Sequence, residues 1–298
     1  MSPRGSTGVF LLLALLLNQN LLCVSGGKIL VWPAEFSHWL NIKVILDVLI
    51  ERGHNITVVT HTATPSVQTT PSAGYNAEIL QVPYTKQEIV DNLERMLKYW
   101  THDLPNDNII TASLKIHEMI TTATAQNKIT CNALFSRAEL LEKWKMEKFD
   151  VILADPLYIC GEILAQKLDI PLIFSLRFTF GNTLERLCGQ MPAPPSYVPA
   201  VASEKTDQMD FIDRLKNYLF YGMQDFLFYL VTKFKWDHYY SEVLGEYSKL
   251  LIYWDFHAQP PLGFTDNGLK KRECPVSGSS VGANALLMSE ENGQTGSS

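Results

Sequence analysis

Two residues of this sequence have the types and positions of a general base and its supporting carboxylate. His38 lies a few residues after the apolar stretch 28–32, and Asp155 directly follows the apolar stretch 149–154. Because the carboxyl ends of parallel strands meet at one edge of an α/β sheet, we expect both side chains at that edge, where ligands bind. A carboxylate orients an imidazole and stabilises its protonated form. We therefore predict that His38 takes up a proton and that Asp155 supports it.

The surroundings of His38 leave an alternative open. It falls in the first turn of a predicted helix, where the positive end of the helix dipole favours an uncharged imidazole that can act as a base. The alternative is a histidine that only helps to cap the helix. His61 follows the second predicted strand at the same edge and is the competing base, but it lacks a helix N-terminus. No serine or cysteine stands in a nucleophile elbow beside them, so the proton is expected to come from a bound hydroxyl.

Alternating strands and helices must position these residues. The stretch 28–32 has four apolar residues behind Lys28; it is too short for a helix and predicts a buried parallel strand. Ser37 is predicted to cap the helix that follows, and Gly53 to end it. Further strands are predicted at 56–60, 75–82, 149–154 and 170–175, and helices at 86–100, 109–126, 131–148, 156–168 and from a cap at Asp207 through Trp236. This order predicts an α/β fold with a doubly wound parallel sheet.

The aromatic stretch 218–231 belongs to the last of these helices. It is interrupted by Gln224 and Asp225 and is too short to cross a bilayer. Its apolar face can pack in a cleft or lie on a membrane surface, and we favour packing.

Composition and charge exclude several classes of protein. The chain is 46% hydrophobic with a net charge of -6, and its one dense basic run is 270–272, so nucleic acid is not an expected partner. No HxxxH pair occurs, and no metal site or resident cofactor is predicted. The GxSxG match at 278–282 has no strand before it and no histidine after it, so Ser280 is not a predicted nucleophile.

The N-terminus and the cysteines indicate the compartment. Residues 9–17 are apolar and small residues follow at 23–26, which predicts a signal peptide over 1–25 and entry into the endoplasmic reticulum lumen. Asn55 heads a glycosylation sequon at the start of a strand, where we expect poor access. Cys160 lies in an apolar segment and is predicted to be a buried free thiol, although one or two bridges remain open.

Several stretches resemble a known family, the vertebrate UDP-glucuronosyltransferases of family 2. The resemblance covers residues 25–245 and is carried by these segments: GKILVWPAEFSHWLNIKVILDVLIERGHNITVVT at 27–60, FDVILADPLYICGEILAQKLDIPLIFSLRF at 149–178, CGQMPAPPSYVPAV at 188–201, TDQM at 206–209 and YYSEVLG at 239–245. It implies the N-terminal Rossmann-like half of a GT-B glycosyltransferase, which binds a lipophilic acceptor, whereas the other half binds UDP-glucuronate. It also implies His38 as the catalytic base and Asp155 as its partner, in a transfer that inverts the sugar.

After Gly245 the family pattern is lost. We therefore expect a signal peptide at 1–25, an acceptor-binding domain at 26–245 and a divergent, largely disordered tail at 246–298, without the family's donor domain and membrane helix. The first hypothesis is glucuronosyl transfer, with UDP-glucuronate as co-substrate and an acceptor pocket at Phe178, Phe180 and Tyr158. The second is a silent truncated isoform that binds acceptors or pairs with and modulates full-length relatives. Contact with a membrane surface is left open under both hypotheses. An unrelated hydrolase or flavodoxin-like protein fits less well, because the elbow and the phosphate loops are missing.

Overall fold

Five parallel strands form one sheet in the computed structural model of this chain. The structure describes residues 26–70, 73–176, 186, 193–200, 203 and 205–245, so the predicted signal peptide and tail lie outside the described residues. The strands are β1 (Lys28–Trp32), β2 (Asn55–His61), β3 (Asn76–Leu80), β4 (Val151–Ala154) and β5 (Leu172–Phe174). Their order is β3-β2-β1-β4-β5, with every neighbouring pair parallel.

Helices connect the strands and continue the chain after them. They are α1 (Ser37–Glu51), α2 (Lys86–Lys98), α3 (Ile109–Phe135), α4 (Ala138–Glu147), α5 (Gly161–Leu168), α6 (Phe211–Lys235) and α7 (Asp237–Leu244). A π-helical turn (Tyr99–Asp103) and a 3-10 turn (Leu104–Asn106) lead from α2 towards α3. The long crossover from β3 to β4 thus contains three α-helices.

Both faces of the sheet are covered, which confirms the predicted doubly wound α/β fold. Ile29 and Val31 of β1 point into a core cluster that includes Trp39 from α1. Leu30 and Trp32 point into the opposite cluster, which takes side chains from α3, α4, α5 and α7. A central parallel strand buried on both faces is expected to be continuously apolar, as β1 is from Ile29 to Trp32.

The strand order reverses between β1 and β4. From β1 the chain moves outward to β2 and β3, then returns to place β4 on the other side of β1. Trp32 pairs with Ala154 at the carboxyl ends of these two strands. The loops that follow β1 and β4 therefore diverge at this point, and such a divergence leaves a crevice at the sheet edge where ligands bind.

Several predicted boundaries need correction; the helix predicted at 156–168, for example, begins at Gly161. Ser37 does not cap α1, because the cap position is Phe36 and no side chain bonds the helix start there. Instead the Phe36 N–H donates to Ser66 Oγ at 2.8 Å, a tertiary contact that holds the loop.

Asp210, not Asp207, caps α6 by accepting from Asp213 N at 2.8 Å. The predicted helices at 109–126 and 131–148 are regrouped, since α3 continues to Phe135 before α4 begins. Gly53 does end α1, in the left-handed region at φ +82.

The predicted free thiol at Cys160 is wrong. Cys160 forms a disulfide with Cys131, with Cα atoms 6.1 Å apart, and both residues are fully buried. Cys131 lies in the last turns of α3, and Cys160 immediately precedes α5. The bridge therefore ties α3 to the loop that follows β4.

The aromatic stretch of α6 packs less than expected. Tyr221 is buried, and Asn217 on the same face donates to the carbonyls of Pro195 and Val198 at 2.7 and 2.8 Å. Tyr218, Leu219, Met223, Phe226 and Leu227 are all exposed. The prediction that this helix packs in a cleft is therefore confirmed for only one of its faces. Within the described residues, no helix is long and apolar enough to span a membrane.

Candidate functional site

The structure places His38 and Asp155 in direct contact at the sheet edge. His38 is the second residue of α1, and Asp155 follows the last residue of β4. His38 Nδ1 lies 2.7 Å from Asp155 Oδ2, although 117 residues separate the two in the chain. The contact expected from the strand ends is present. It lies where the loops after β1 and β4 diverge.

The Asp155 carboxylate is held on both oxygens. Oδ2 contacts His38, and Oδ1 accepts a hydrogen bond from Leu157 N at 2.9 Å. The Asp155 backbone N–H donates to Trp32 O at 3.0 Å, which anchors the residue to β1. The carboxylate therefore has a fixed direction relative to the imidazole ring.

This contact selects one tautomer of His38. An ionised carboxylate only accepts hydrogen bonds, so the ring proton belongs on Nδ1 and the basic lone pair on Nε2. Asp155 is 1% exposed and His38 is 8% exposed. A charge-assisted hydrogen bond is stronger in such a buried position than in water. The arrangement can take up a proton at Nε2 and stabilise the resulting imidazolium.

A second buried polar pair lies next to this site, and the sequence analysis missed half of it. Glu35 is in the loop before α1, where its Oε2 accepts from Ser66 N at 3.2 Å. Its Oε1 lies 3.5 Å from Nε2 of His61, the last residue of β2. Both side chains are buried. The available signal was an acidic residue three positions after an apolar strand, at the edge where ligands bind.

Burial disfavours the charged forms of both partners. It raises the pKa of the Glu35 carboxyl, although hydrogen bonds from Thr64 and Ser66 and the charge of Lys86 act in the opposite direction. It lowers the pKa of His61 to about 4. The pair therefore favours its uncharged forms, and His61 is a weaker base than its position in the sequence suggests.

The shift of His61 predicts a loss of stability in acid. The pKa of His61 is about 4 in the folded chain and 6.5 for an unperturbed histidine. The unfolded chain therefore binds the extra proton between these values, and stability falls as pH drops through that window. The expected contribution is about 3 kcal/mol of unfolding free energy, measured by urea unfolding across this range. The other titratable groups facing the ring are Glu35, Tyr84 and Tyr158.

The control for this prediction is His61→Phe, which keeps an aromatic ring and removes the titrating nitrogens. Glu35 acts with the opposite sign, because its raised pKa makes the folded chain lose stability as pH rises above 4.5. The difference between the parent and His61→Phe isolates the histidine. Equal pH dependence of the two proteins would contradict the prediction.

The remaining predicted site residues divide into described and undescribed ones. Tyr158 lies in the loop after β4, where its carbonyl accepts from the Trp32 indole N–H at 2.9 Å. Burial raises the pKa of its hydroxyl. Phe178 and Phe180 lie outside the described residues. Asn55 opens β2 as an exposed residue and accepts from Asn76 Nδ2 at 3.3 Å, so the expected poor access is wrong.

The described part of the chain contains no group of three or more histidine, cysteine, aspartate or glutamate side chains that could hold a metal ion. The acid-base pair, with its buried neighbours, is thus the chemistry that this sheet edge presents.

Comparisons with known proteins show which family the chain resembles. The family model described as UDP-glucoronosyl and UDP-glucosyl transferase matches residues 27–252. UDP-glucuronosyltransferase 2A1 of Rattus norvegicus is 38% identical over 79% of this chain and 47% of its own length. UDP-glucuronosyltransferase 2A2 of Homo sapiens is 39% identical over 80% and 47%. UDP-glucuronosyltransferase 2B30 of Macaca fascicularis is 41% identical over 79% and 47%. The chain spans about half the length of these relatives.

Solved structures give weaker matches. The calicheamicin glycosyltransferase CalG4 is 18% identical, with a TM-score of 0.30 over 60% of this chain and 39% of its own. A UGT transferase from Siraitia grosvenorii in complex with UDP is 12% identical, with a TM-score of 0.33 over 66% and 41%. Scores this low carry no argument about the site.

Proposed function

This chain belongs to the UDP-glucoronosyl and UDP-glucosyl transferase family, and on that premise we propose that it forms the acceptor-binding half of a UDP-glucuronosyltransferase. The reaction moves glucuronate from UDP-glucuronate to the hydroxyl of a small lipophilic acceptor, with inversion. The observation that carries the proposal is the 2.7 Å contact between His38 Nδ1 and Asp155 Oδ2 at the divergence of β1 and β4. That contact supplies an oriented base of the kind that this chemistry requires.

In the proposed reaction, His38 Nε2 accepts the proton of the acceptor hydroxyl. The acceptor oxygen forms a bond to the anomeric carbon of the sugar, and the bond from that carbon to the UDP oxygen breaks. Attack opposite the leaving group gives inversion. Asp155 stabilises the imidazolium that forms, and general base catalysis of this kind contributes about 10²- to 10⁴-fold to the rate.

The rest of the proposal concerns binding and location. The acceptor pocket includes Tyr158, whose backbone N–H donates to Asp155 O at 3.2 Å in the loop after β4, and takes Phe178 and Phe180 from the segment after β5. No resident cofactor is proposed, since UDP-glucuronate is a co-substrate. The proposed setting is the endoplasmic reticulum lumen, supported by the leader-like residues 9–17, with contact to a membrane surface.

The test joins residues 26–245 to the second half of a matched UDP-glucuronosyltransferase and assays a phenol with UDP-glucuronate. Turnover is expected, and His38→Ala should lower it by about 10²- to 10⁴-fold. The matched control is His238→Ala, because that side chain is 95% exposed and its loss should leave turnover unchanged. Equal turnover of His38→Ala and the parent hybrid would refute His38 as the base.

A second candidate function is binding without turnover, in which the chain holds acceptors or pairs with full-length relatives. It requires only the acceptor-binding residues proposed above and no bound UDP-glucuronate. Because proximity of two bound substrates can be worth about 7 to 11 kcal/mol of barrier, the 298-residue chain assayed alone is expected to turn over little. Calorimetric titration of the same chain with the phenol, compared with the assay of the hybrid, separates the candidates: heat of binding without turnover by the hybrid supports the second, and turnover by the hybrid that requires His38 supports the first.

A further inference from the structure

A small cavity lies between the buried Glu35–His61 pair and the loop after β4. It is lined by Trp32, Pro33, Glu35, Val59, Thr60, His61, Leu80, Thr130 and Tyr158. Its walls come from the carboxyl ends of β1, β2 and β3, from α3, and from the loop that carries Asp155. We propose that this cavity is a binding site for one neutral hydroxyl group, which is held by His61 and Glu35 and is supplied by water or by a small alcohol.

The unmet hydrogen bonds of His61 are the first argument. Neither ring nitrogen has a hydrogen-bond partner in the structure, although the residue is only 3% exposed. A neutral imidazole has one N–H donor and one acceptor nitrogen, and leaving such groups buried and unpaired is costly. A hydroxyl both donates and accepts, so it matches either nitrogen.

The size of the cavity is the second argument. The volume of the cavity that is open to the centre of a water-sized molecule is about 10 Å³. That is close to the smallest space that holds one water molecule, and such a water needs two or more polar partners. Glu35 Oε1 lies 3.5 Å from His61 Nε2, beyond hydrogen-bond distance for this pair. The carboxyl group and the ring therefore offer these partners in a space that takes the oxygen of one hydroxyl group.

The charge state is the third argument. Burial raises the pKa of Glu35 and lowers that of His61, so both of these lining side chains favour their uncharged forms. An anion or a cation would lose its hydration without a compensating charge from this pair. A neutral O–H group has no such cost. The ring of His61 is also fixed in place, since it makes an edge contact with Tyr84 at 5.5 Å between ring centroids.

The cavity and the His38–Asp155 pair share one sheet edge. Glu35 precedes His38 by three residues, and Tyr158 follows Asp155 by three. A hydroxyl held in the cavity would therefore lie beside the site described above. The inference itself does not depend on glycosyl transfer, because it concerns only the occupant of this cavity.

The test uses NMR of the full chain with labelled histidine rings. In buffer alone we expect a nuclear Overhauser signal between bound water and the His61 ring protons. In buffer with methanol, a signal from the methanol methyl group in place of the water signal would assign the hydroxyl to the alcohol. A water signal that methanol leaves unchanged would assign it to water. Either result supports the site, and the absence of both signals would overturn it.

Two variants make the test specific. Glu35→Gln keeps the size of the side chain and a hydrogen-bonding group, so the occupant should be retained. His61→Phe keeps the ring but removes the nitrogens, so in this variant, prepared with labelled phenylalanine rings, no water or methanol signal to the ring protons at this position is expected. Such a signal in His61→Phe would overturn the assignment to the ring nitrogens. The matched control is His238→Phe, because the His238 side chain on α7 is 95% exposed and its loss should leave the His61 signals unchanged. If His61→Phe does not fold, Glu35→Gln still tests the proposal. Loss of the water signal at His61 in that variant would contradict the expectation that the glutamine amide retains the occupant.

Discussion

Replacing Asp155 by asparagine is expected to lower turnover of the hybrid enzyme by about 10³- to 10⁴-fold. The asparagine amide can donate to His38 Nδ1, which would move the ring proton to Nε2 and remove the basic lone pair from that atom. It also removes the negative charge that stabilises the imidazolium. The fall should appear in kcat, with acceptor binding nearly unchanged, and ¹⁵N shifts of the His38 ring should report the tautomer change in the 298-residue chain.

The matched control for this variant is Asp47→Asn on α1. Asp47 is half exposed and accepts from Lys43 at 2.7 Å on the same helix. Such a surface ion pair is worth about 0 to 1 kcal/mol, so turnover and the His38 shifts should stay at the parent values. Full turnover of Asp155→Asn, or unchanged ring shifts, would contradict the proposed role of the carboxylate.

Removing the disulfide is expected to cost about 3 to 4 kcal/mol of unfolding free energy. Cys131 and Cys160 are separated by 29 residues, and a bridge over a loop of that length removes a corresponding amount of chain entropy from the unfolded state. The double variant Cys131→Ala with Cys160→Ala therefore unfolds at lower urea concentration than the parent. Urea unfolding of both proteins under oxidising conditions measures the difference.

Reduction provides the control for the disulfide. Dithiothreitol should lower the stability of the parent towards that of the double variant, and should leave the double variant unchanged. Parent stability that does not respond to reduction, or a double variant as stable as the parent, would show that the bridge does not contribute as expected.

The main elements of the fold follow from local patterns. The apolar stretch 28–32 predicts β1, and the spacing from Leu40 with the stop at Gly53 predicts α1. These assignments hold because a short, continuously apolar stretch suits a strand buried on both faces, and because glycine tolerates the left-handed conformation that ends the helix. The contact of His38 with Asp155 also follows from local patterns, since parallel strands bring their carboxyl ends to one edge.

Other features depend on contacts between residues far apart in the chain. The start of α1 is held by Ser66 from the loop after β2, so a local search for a capping side chain at Ser37 fails. The burial of Glu35 depends on the same loop, through Ser66 N. Side-chain chemistry at these positions is set by neighbours that sequence spacing does not reveal.

The amino-acid sequence by itself determined the parallel α/β sheet and the edge at which an imidazole and a carboxylate meet, because the periodicity of apolar residues and the rule for strand ends act locally. Only the tertiary structure decided that Cys131 and Cys160 are joined, that Glu35 faces His61 in a buried cavity, and that much of the apolar face of α6 is exposed. The physical reason is that each of these depends on which distant side chains come within a few ångströms, and that distance is set by the packing of whole helices against the sheet.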